Sequence, residues 1–443
     1  MMSSGLLESF LGALQATLSI VLVIFYGVLA TQFQLLDAPS SKKISAVCIK
    51  LFLPALLITK VGSELHADTA TRYIPVLIWA ISYALFSIAT GLLAVRFFKF
   101  PSYITPAIAF NNTTSLPLLL VESLESTGIL NRLLRNGENI EEAVNRAQAY
   151  FLVCAIVGNC LTFAVGPRLI DGEFAPDTDD ESYKEDEVRV QGEEGVTTEE
   201  HRRGEGGHVE RGRQGSDDIT PLLPGRIRTF GDEIEASVFH IGRAHWIKLS
   251  PRTRYFLTFM SDFINAPLIG AIVGAVIGLT PALHRAFFSN TEDGGFFKAW
   301  LTTSLKNIGE LFVSLQVVVV GVSLSSSLRK MKRGEDRGLP WMPTAFILLT
   351  RFVLWPVLSI AIIWTLATKA KVLPQDPMLY FAMMLMPTGP PAMKLVAMGK
   401  LNGVREEDEM ILSKLLTLSY AVSPILALTV VGSLYASEAA MAP

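Results

Sequence analysis

Two short stretches place hydrogen-bonding side chains, glycine and proline inside otherwise apolar surroundings: FNNTTSLPL at 110–118 and MPTGPPAMK at 386–394. Proline has no amide hydrogen and clashes with the preceding turn, so each stretch should split a helix in two. The split strands amide and carbonyl groups, which lipid cannot satisfy and which must therefore be buried in protein or face a watery cavity. Asn111, Asn112, Thr113, Thr114 and Ser115 can supply partners and cap a second half-helix beginning near Pro117. In the second stretch Thr388 is followed by Gly389, which suits a tight turn, and by Pro390 and Pro391, the former suited to a first helical position. Two half-helix N-termini opposed in this way would aim two partial positive charges at one point, a seat for an anion. Lys394 lies about 6 Å along the helix from Pro390, and its side chain leans back toward the break. It would serve as a fixed counter-charge or as a stand-in for a coupling cation.

The elements that must position these residues are membrane spans. A hydrocarbon core about 30 Å thick takes roughly 20 apolar residues to cross. Runs of that kind occur at 10–33, 44–61, 73–97, 104–123 and 147–169, and again at 256–279, 301–328, 344–367, 378–398 and 410–434. Half of the 443 residues are apolar, and the mean hydropathy is +0.40 despite a very hydrophilic insert. The expected fold is an all-α polytopic membrane protein of about ten transmembrane helices. Residues 1–9 carry no positive charge ahead of a long apolar run, so no cleavable leader is expected. The RKMKR cluster at 329–333 tips the loop charges toward extracytosolic termini and a cytosolic insert.

The insert divides the chain into a first membrane repeat at 1–170, an acidic loop at 171–250 and a second repeat at 251–443. The loop has too few aliphatic residues to bury a core and reads as largely disordered. Its end, at 237–255, suits an interfacial helix. Five spans before the loop and five after it make the second half enter the membrane from the opposite side, the layout of an inverted repeat. The polar, proline-broken span is the fourth of each half, helices 4 and 9 of the chain. Other embedded polar residues read as packing or interfacial groups: Lys60 and Glu64 as a local pair, Asp262 with Asn265, Glu310, Gln316, Arg351 and Lys414. Glu122 is the nearest candidate partner for Lys394, but the half-helices run apart from the crossing. GAIVGAVIG at 270–278 suits close helix packing.

Several function classes lose support. A net charge of -3 gives no electrostatic case for nucleic acid. Cys48, Cys154 and Cys160 sit in apolar runs without metal spacing and read as small buried hydrophobes. No HExxH occurs, and MGKL at 398–401 lacks the upstream glycine of a phosphate loop. The residues therefore point to a carrier with no cofactor, no metal and no catalytic group. A cation-coupled symporter and a sensor acting through the loop are the alternatives, and homodimerisation is left open.

NNTTSLPLLLV at 111–121 resembles the N-T-G-N-L-P segment of the PIN-likes, within the auxin efflux carrier family of membrane transport proteins. MPTGPPAMKLVAMGKL at 386–401 resembles the same family's M-P-P-A-M segment, and LFLPALLITKVGSEL at 51–65 and VVVVGVSLSSSL at 317–328 agree as well. The resemblance implies two inverted five-helix repeats crossing at helices 4 and 9. It also implies efflux or compartmentation of a small, auxin-like organic anion, and residence in the endoplasmic reticulum rather than the plasma membrane. Asn112 matches the first motif asparagine, Pro117 the crossover proline, and Pro390 with Pro391 the second crossover. Ser115 stands where a second asparagine is expected, and Lys394 where plant relatives carry a neutral polar residue.

Overall fold

A short polar residue followed by proline marks several helix starts. Asp37 accepts from the Ser40 amide, Asn265 from Leu268, and Asp376 from Met378 and Leu379, each with proline in the first turn that follows. The computed structural model describes residues 2–66, 69–135, 137–171, 265–332, 339–395 and 406–441. Among these the regular elements are all helical. In chain order they are α1 (Met2–Gln32), α2 (Ala38–Val47), α3 (Leu53–Glu64), α4 (Tyr73–Phe98), α5 (Ile104–Ala109), α6 (Ser115–Thr127) and α7 (Ile140–Asp171). Then follow α8 (Ala266–Leu279), α9 (Pro281–Phe288), α10 (Thr303–Lys332), α11 (Trp341–Leu349), α12 (Trp355–Thr368), α13 (Pro377–Leu385), α14 (Glu406–Ala421) and α15 (Leu426–Ala439). The acidic insert, the 237–255 segment, Asp262 and the 398–401 tetrapeptide lie outside the described residues.

Among the described residues, six helical runs are long and apolar enough to cross a membrane, and eight if two bent pairs each count as one span. The bent pairs are α8 with α9, at 102°, and Ile411–Ala421 with Ser423–Ala439, at 43°. Pro281 and Pro424 stand at the two bends. The runs at 104–123 and 378–398 are not continuous helices, as their polar and proline residues require: α5 has 6 residues, α6 has 13 and α13 has 9.

Besides the π turn Lys298–Thr302 that opens the run into α10, two long runs contain one in their middle, Cys48–Phe52 between α2 and α3 and Thr350–Leu354 between α11 and α12. In each, the residue after the turn donates five residues back, Leu53 to Cys48 and Trp355 to Thr350. Each turn also stands two residues ahead of a proline, Pro54 or Pro356. The proline cannot donate, and its ring crowds the carbonyl four residues back, so the turn before it widens.

Burial separates the helices by role. α1, α4 and α8 each leave large apolar side chains exposed, such as Leu22, Phe25, Ile78, Leu85 and Ile272, as a lipid-facing surface requires. Every residue of α5 and α13 is buried, so these short helices are enclosed by the others. Gly270, Gly274 and Gly278 of α8 lie against the backbone of α3, the close packing expected of GAIVGAVIG. Gly27 of α1 and Gly321 of α10 meet similarly, each leaving no room for a Cβ beside the other helix's backbone.

Candidate functional site

The two broken stretches meet and pair through their backbones. Asn111 and Pro391 form an isolated antiparallel bridge. Its bonds run from the Asn112 amide to the Pro390 carbonyl, 3.1 Å, and from the Ala392 amide to the Phe110 carbonyl, 2.9 Å. α5 ends at Ala109 because Phe110 turns extended, and the chain re-enters a helix at Ser115. α13 ends at Leu385. A turn through Gly389, at φ +94°, leads to Pro390 and Pro391, and helix resumes at Lys394 and Leu395. The breaks thus lie at the prolines, but Pro390 stands four residues ahead of the resumed helix rather than at its first position, because the chain first pairs with Asn111, and Lys394 opens that helix instead of lying a turn inside it.

The side chains satisfy the breaks differently from the expectation. Thr114, the N-cap of α6, makes no side-chain cap bond. Asn111 instead reaches across, and its Nδ2 donates to the carbonyls of Met386, 2.8 Å, and Thr388, 3.0 Å. Trp79 Nε1 donates to Met383 at 2.8 Å, Ser359 to Met384 at 2.6 Å, and Thr388 Oγ1 to Leu385 at 2.7 Å. With Arg351 on Gly389 and the Asn112 amide on Pro390, every carbonyl from Met383 to Pro390 except that of Pro387 has a donor. Such provision is what a helix end enclosed by protein demands.

The N-terminus of α6 is served otherwise. The amides of Ser115 and Leu116 find no acceptor among the described residues, and Pro117 has no amide to satisfy. Asn112 stands beside them, its Nδ2 donating to Ser115 Oγ, 3.2 Å, and to the Tyr420 hydroxyl, 3.0 Å. Thr113 faces Gly158 of α7, where a Cβ would come 3.1 Å from its Oγ1. Lys394 donates to Asn159 of the same helix, one residue farther on. Asn111, Asn112, Thr113, Ser115, Thr388, Gly389, Pro390 and Pro391 therefore converge, with Lys394 held against α7 at their flank.

Arg351 belongs to the crossing, whereas the sequence reading set it among packing groups. Fully buried in the π turn Thr350–Leu354, it donates through Nε to Gly389, 3.0 Å, and through Nη1 to Ile108, 3.1 Å, one carbonyl from each broken stretch. The available signal was an arginine in the middle of an apolar run, five residues ahead of a proline. Tyr420 and Asn159 carried no such signal; packing alone brings them in. Lys60 also departs from expectation, donating to Asn145 of α7 at 2.6 Å rather than pairing with Glu64. Glu122 accepts from Gln148 at 3.1 Å, apart from Lys394 as the divergent half-helices require.

A charged cluster fixes the start of α13 and so the second break. The enclosed Asp376 carboxylate lies 2.9 Å from Arg135 and 3.1 Å from Arg146 and accepts from Tyr150 at 2.8 Å, while also capping α13. Arg146 also pairs with Glu138, in the connection before α7. Burial disfavours the Glu138 carboxylate, but the Arg146 bond, the Arg135 amide and both guanidinium charges outweigh it and hold the group below its ordinary range. At its far end α6 is followed by Arg132, which pairs with Glu438 at 2.6 Å and stacks on Tyr435.

The sequence profile described as "membrane transport protein" matches residues 13–431. An uncharacterised transporter of Schizosaccharomyces pombe is 24% identical over 425 residues, covering 92% of this chain and 91% of that one. Protein PIN-LIKES 2 of Arabidopsis thaliana is 23% identical over 433 residues, covering 90% and 89%. Protein PIN-LIKES 5 of the same plant is 26% identical over 176 residues, covering 40% and 41%. A multi-pass helical membrane protein matched across nearly its whole length in this way belongs to the membrane transport protein family, that of the auxin efflux carriers.

Proposed function

We propose that this chain is a secondary transporter of a small organic anion, an auxin-like carboxylate, and that it binds its substrate where the two broken stretches cross. One observation carries the reading. Two interrupted helices, far apart in sequence, are bonded backbone to backbone in an enclosed site, and the α6 N-terminus beside them holds amides without acceptors. Those amides, with Asn112 and Ser115, are donors suited to a carboxylate, while Asn111, Thr388, Gly389, Pro390 and Pro391 shape the seat and Lys394 adds positive charge at its edge. Pro117 keeps the first turn of α6 free of a further donor that would need a partner.

In this reading the chain has ten spans in two inverted repeats of five, at 1–170 and 251–443, joined by a cytosolic loop at 171–250. The eight runs counted by length and composition would be completed by α5 with α6 and by α13 with the helix resuming at Lys394. Alternating access then rocks the crossing between the two membrane faces, with no enzyme chemistry. Residence in the endoplasmic reticulum membrane is part of the same proposal and rests on the motif resemblance to the PIN-likes alone. The test is uptake into proteoliposomes of phenylacetate, indole-3-acetate and hexanoate, with and without an imposed potential. Saturable uptake of at least one carboxylate, absent from protein-free vesicles, is expected; none for any of the three would reject an organic-anion carrier.

A further inference from the structure

Arg351 is fully buried, yet no carboxylate of the described residues lies within ion-pair distance of it. A guanidinium stays protonated in proteins, so this is a permanent positive charge in an enclosed place. Two of its nitrogens grip carbonyls, Gly389 from the second break and Ile108 from the helix entering the first. The third, Nη2, is buried with no hydrogen-bond partner. Tyr83 and Tyr420 are the ionisable groups whose field reaches it, and Tyr420 also accepts from Asn112, one of the donors already assigned to the anion.

A staple holding two carbonyls needs two N–H donors, which a neutral amide supplies without the heavy penalty of burying an ion. Neither the charge nor the third nitrogen is explained by stapling. We infer that Arg351 is the fixed counter-charge of the transported anion and that Nη2 meets one oxygen of its carboxylate when the crossing opens. The inference rests on the organic-anion reading above. It also narrows the substrate class. With Nε and one N–H of Nη1 committed to backbone, Nη2 is the nitrogen left wholly without a partner, and a single contact of that kind suits one carboxylate. The favoured substrates are monocarboxylates, and a neutral amide of the same shape should bind poorly.

The experiment is calorimetric binding to the purified full-length protein in nanodiscs. The probes are phenylacetate, indole-3-acetate and hexanoate, each against its neutral amide. Wild type should prefer acid to amide by roughly tenfold or more, as a charge-assisted bond warrants. R351M should lose most of that preference, whereas R351K, which keeps the charge, should retain it even if both affinities fall. An R351M variant with the wild-type preference would overturn the inference while leaving the anion reading intact. So would an R351K variant that loses the preference along with R351M, since that marks a positioning role. Should R351M elute as aggregate, R351Q, which keeps two N–H donors without charge, takes its place under the same expectations. If R351Q aggregates as well, R351K decides alone. A wild type that binds none of the three acids would remove the anion reading and the inference together.

Discussion

Asn111 shows how much one side chain carries at a break. Its amide nitrogen holds two carbonyls of the opposite stretch, and removing it leaves both buried without a donor. Each orphaned carbonyl costs about 1–3 kcal/mol. Asn111→Ala should therefore lower the apparent melting temperature of the purified protein clearly, and Asn111→Asp, which presents a carboxylate to the same carbonyls, at least as much. A pair of melting curves superposing on wild type would refute this role. Glu138 supplies a pH-dependent term. Its folded-state pKa is depressed, so its contribution is present above the unfolded carboxylate range and is lost as pH falls through the folded value. The melting temperature should thus decline as pH drops below about 4.5, and Glu138→Gln should be less stable at pH 6 but decline less steeply. Parallel pH profiles for the two proteins would dissociate Glu138 from acid sensitivity. Residue types at the crossing were legible because asparagine, proline and lysine are costly in lipid. Their bonding was not, because Asn111 serves carbonyls remote in sequence rather than the next helix, a choice that only tertiary packing makes.

At the scale of elements, the breaks were legible and the π turns were not. Proline and glycine interrupt a helix by local geometry, so the ends of α5 and α13 follow from their own residues. A π turn looks the same as an α-helical run in hydrophobic pattern, and a proline two residues behind it, as at Pro54 and Pro356, does not distinguish it from a plain kink. That gap hid Arg351, because a helix widened by one residue turns a different side chain inward. Only six to eight of the ten expected spans stand out by length and composition among the described residues, because α5, α6 and α13 are each too short to qualify alone. Replacing both Pro390 and Pro391 by alanine lets the second stretch compete for helix and adds two amides in an enclosed place. Carboxylate uptake should fall by roughly an order of magnitude or more, as expected when two buried donors are left unmatched, while the protein still inserts and elutes as a single species. Undiminished uptake by that double variant would show that the break is maintained from elsewhere.

Across the whole molecule, α1 with α10 and α3 with α8 approach through glycines, while α5 and α13 lie wholly enclosed. The overall class was legible because apolar length and small-residue spacing are periodic signals, whereas which helices end up enclosed depends on pairings between distant parts of the chain. Gly321→Val would force side-chain atoms into the backbone of α1, where no rotamer gives relief, so monodisperse protein should be largely lost on size-exclusion chromatography. A normal elution profile would mean that this contact tolerates separation. The bridge at the crossing has a different consequence. Its two bonds use main-chain atoms only, the amides at 112 and 392 and the carbonyls at 110 and 390. Any residue but proline can supply those amides, so mutation can rewrite the side chains at 112, 115 and 394 without unpicking the stitch. Framework and taste are thereby written in separate alphabets, and a lineage can change its cargo while inheriting the same hinge.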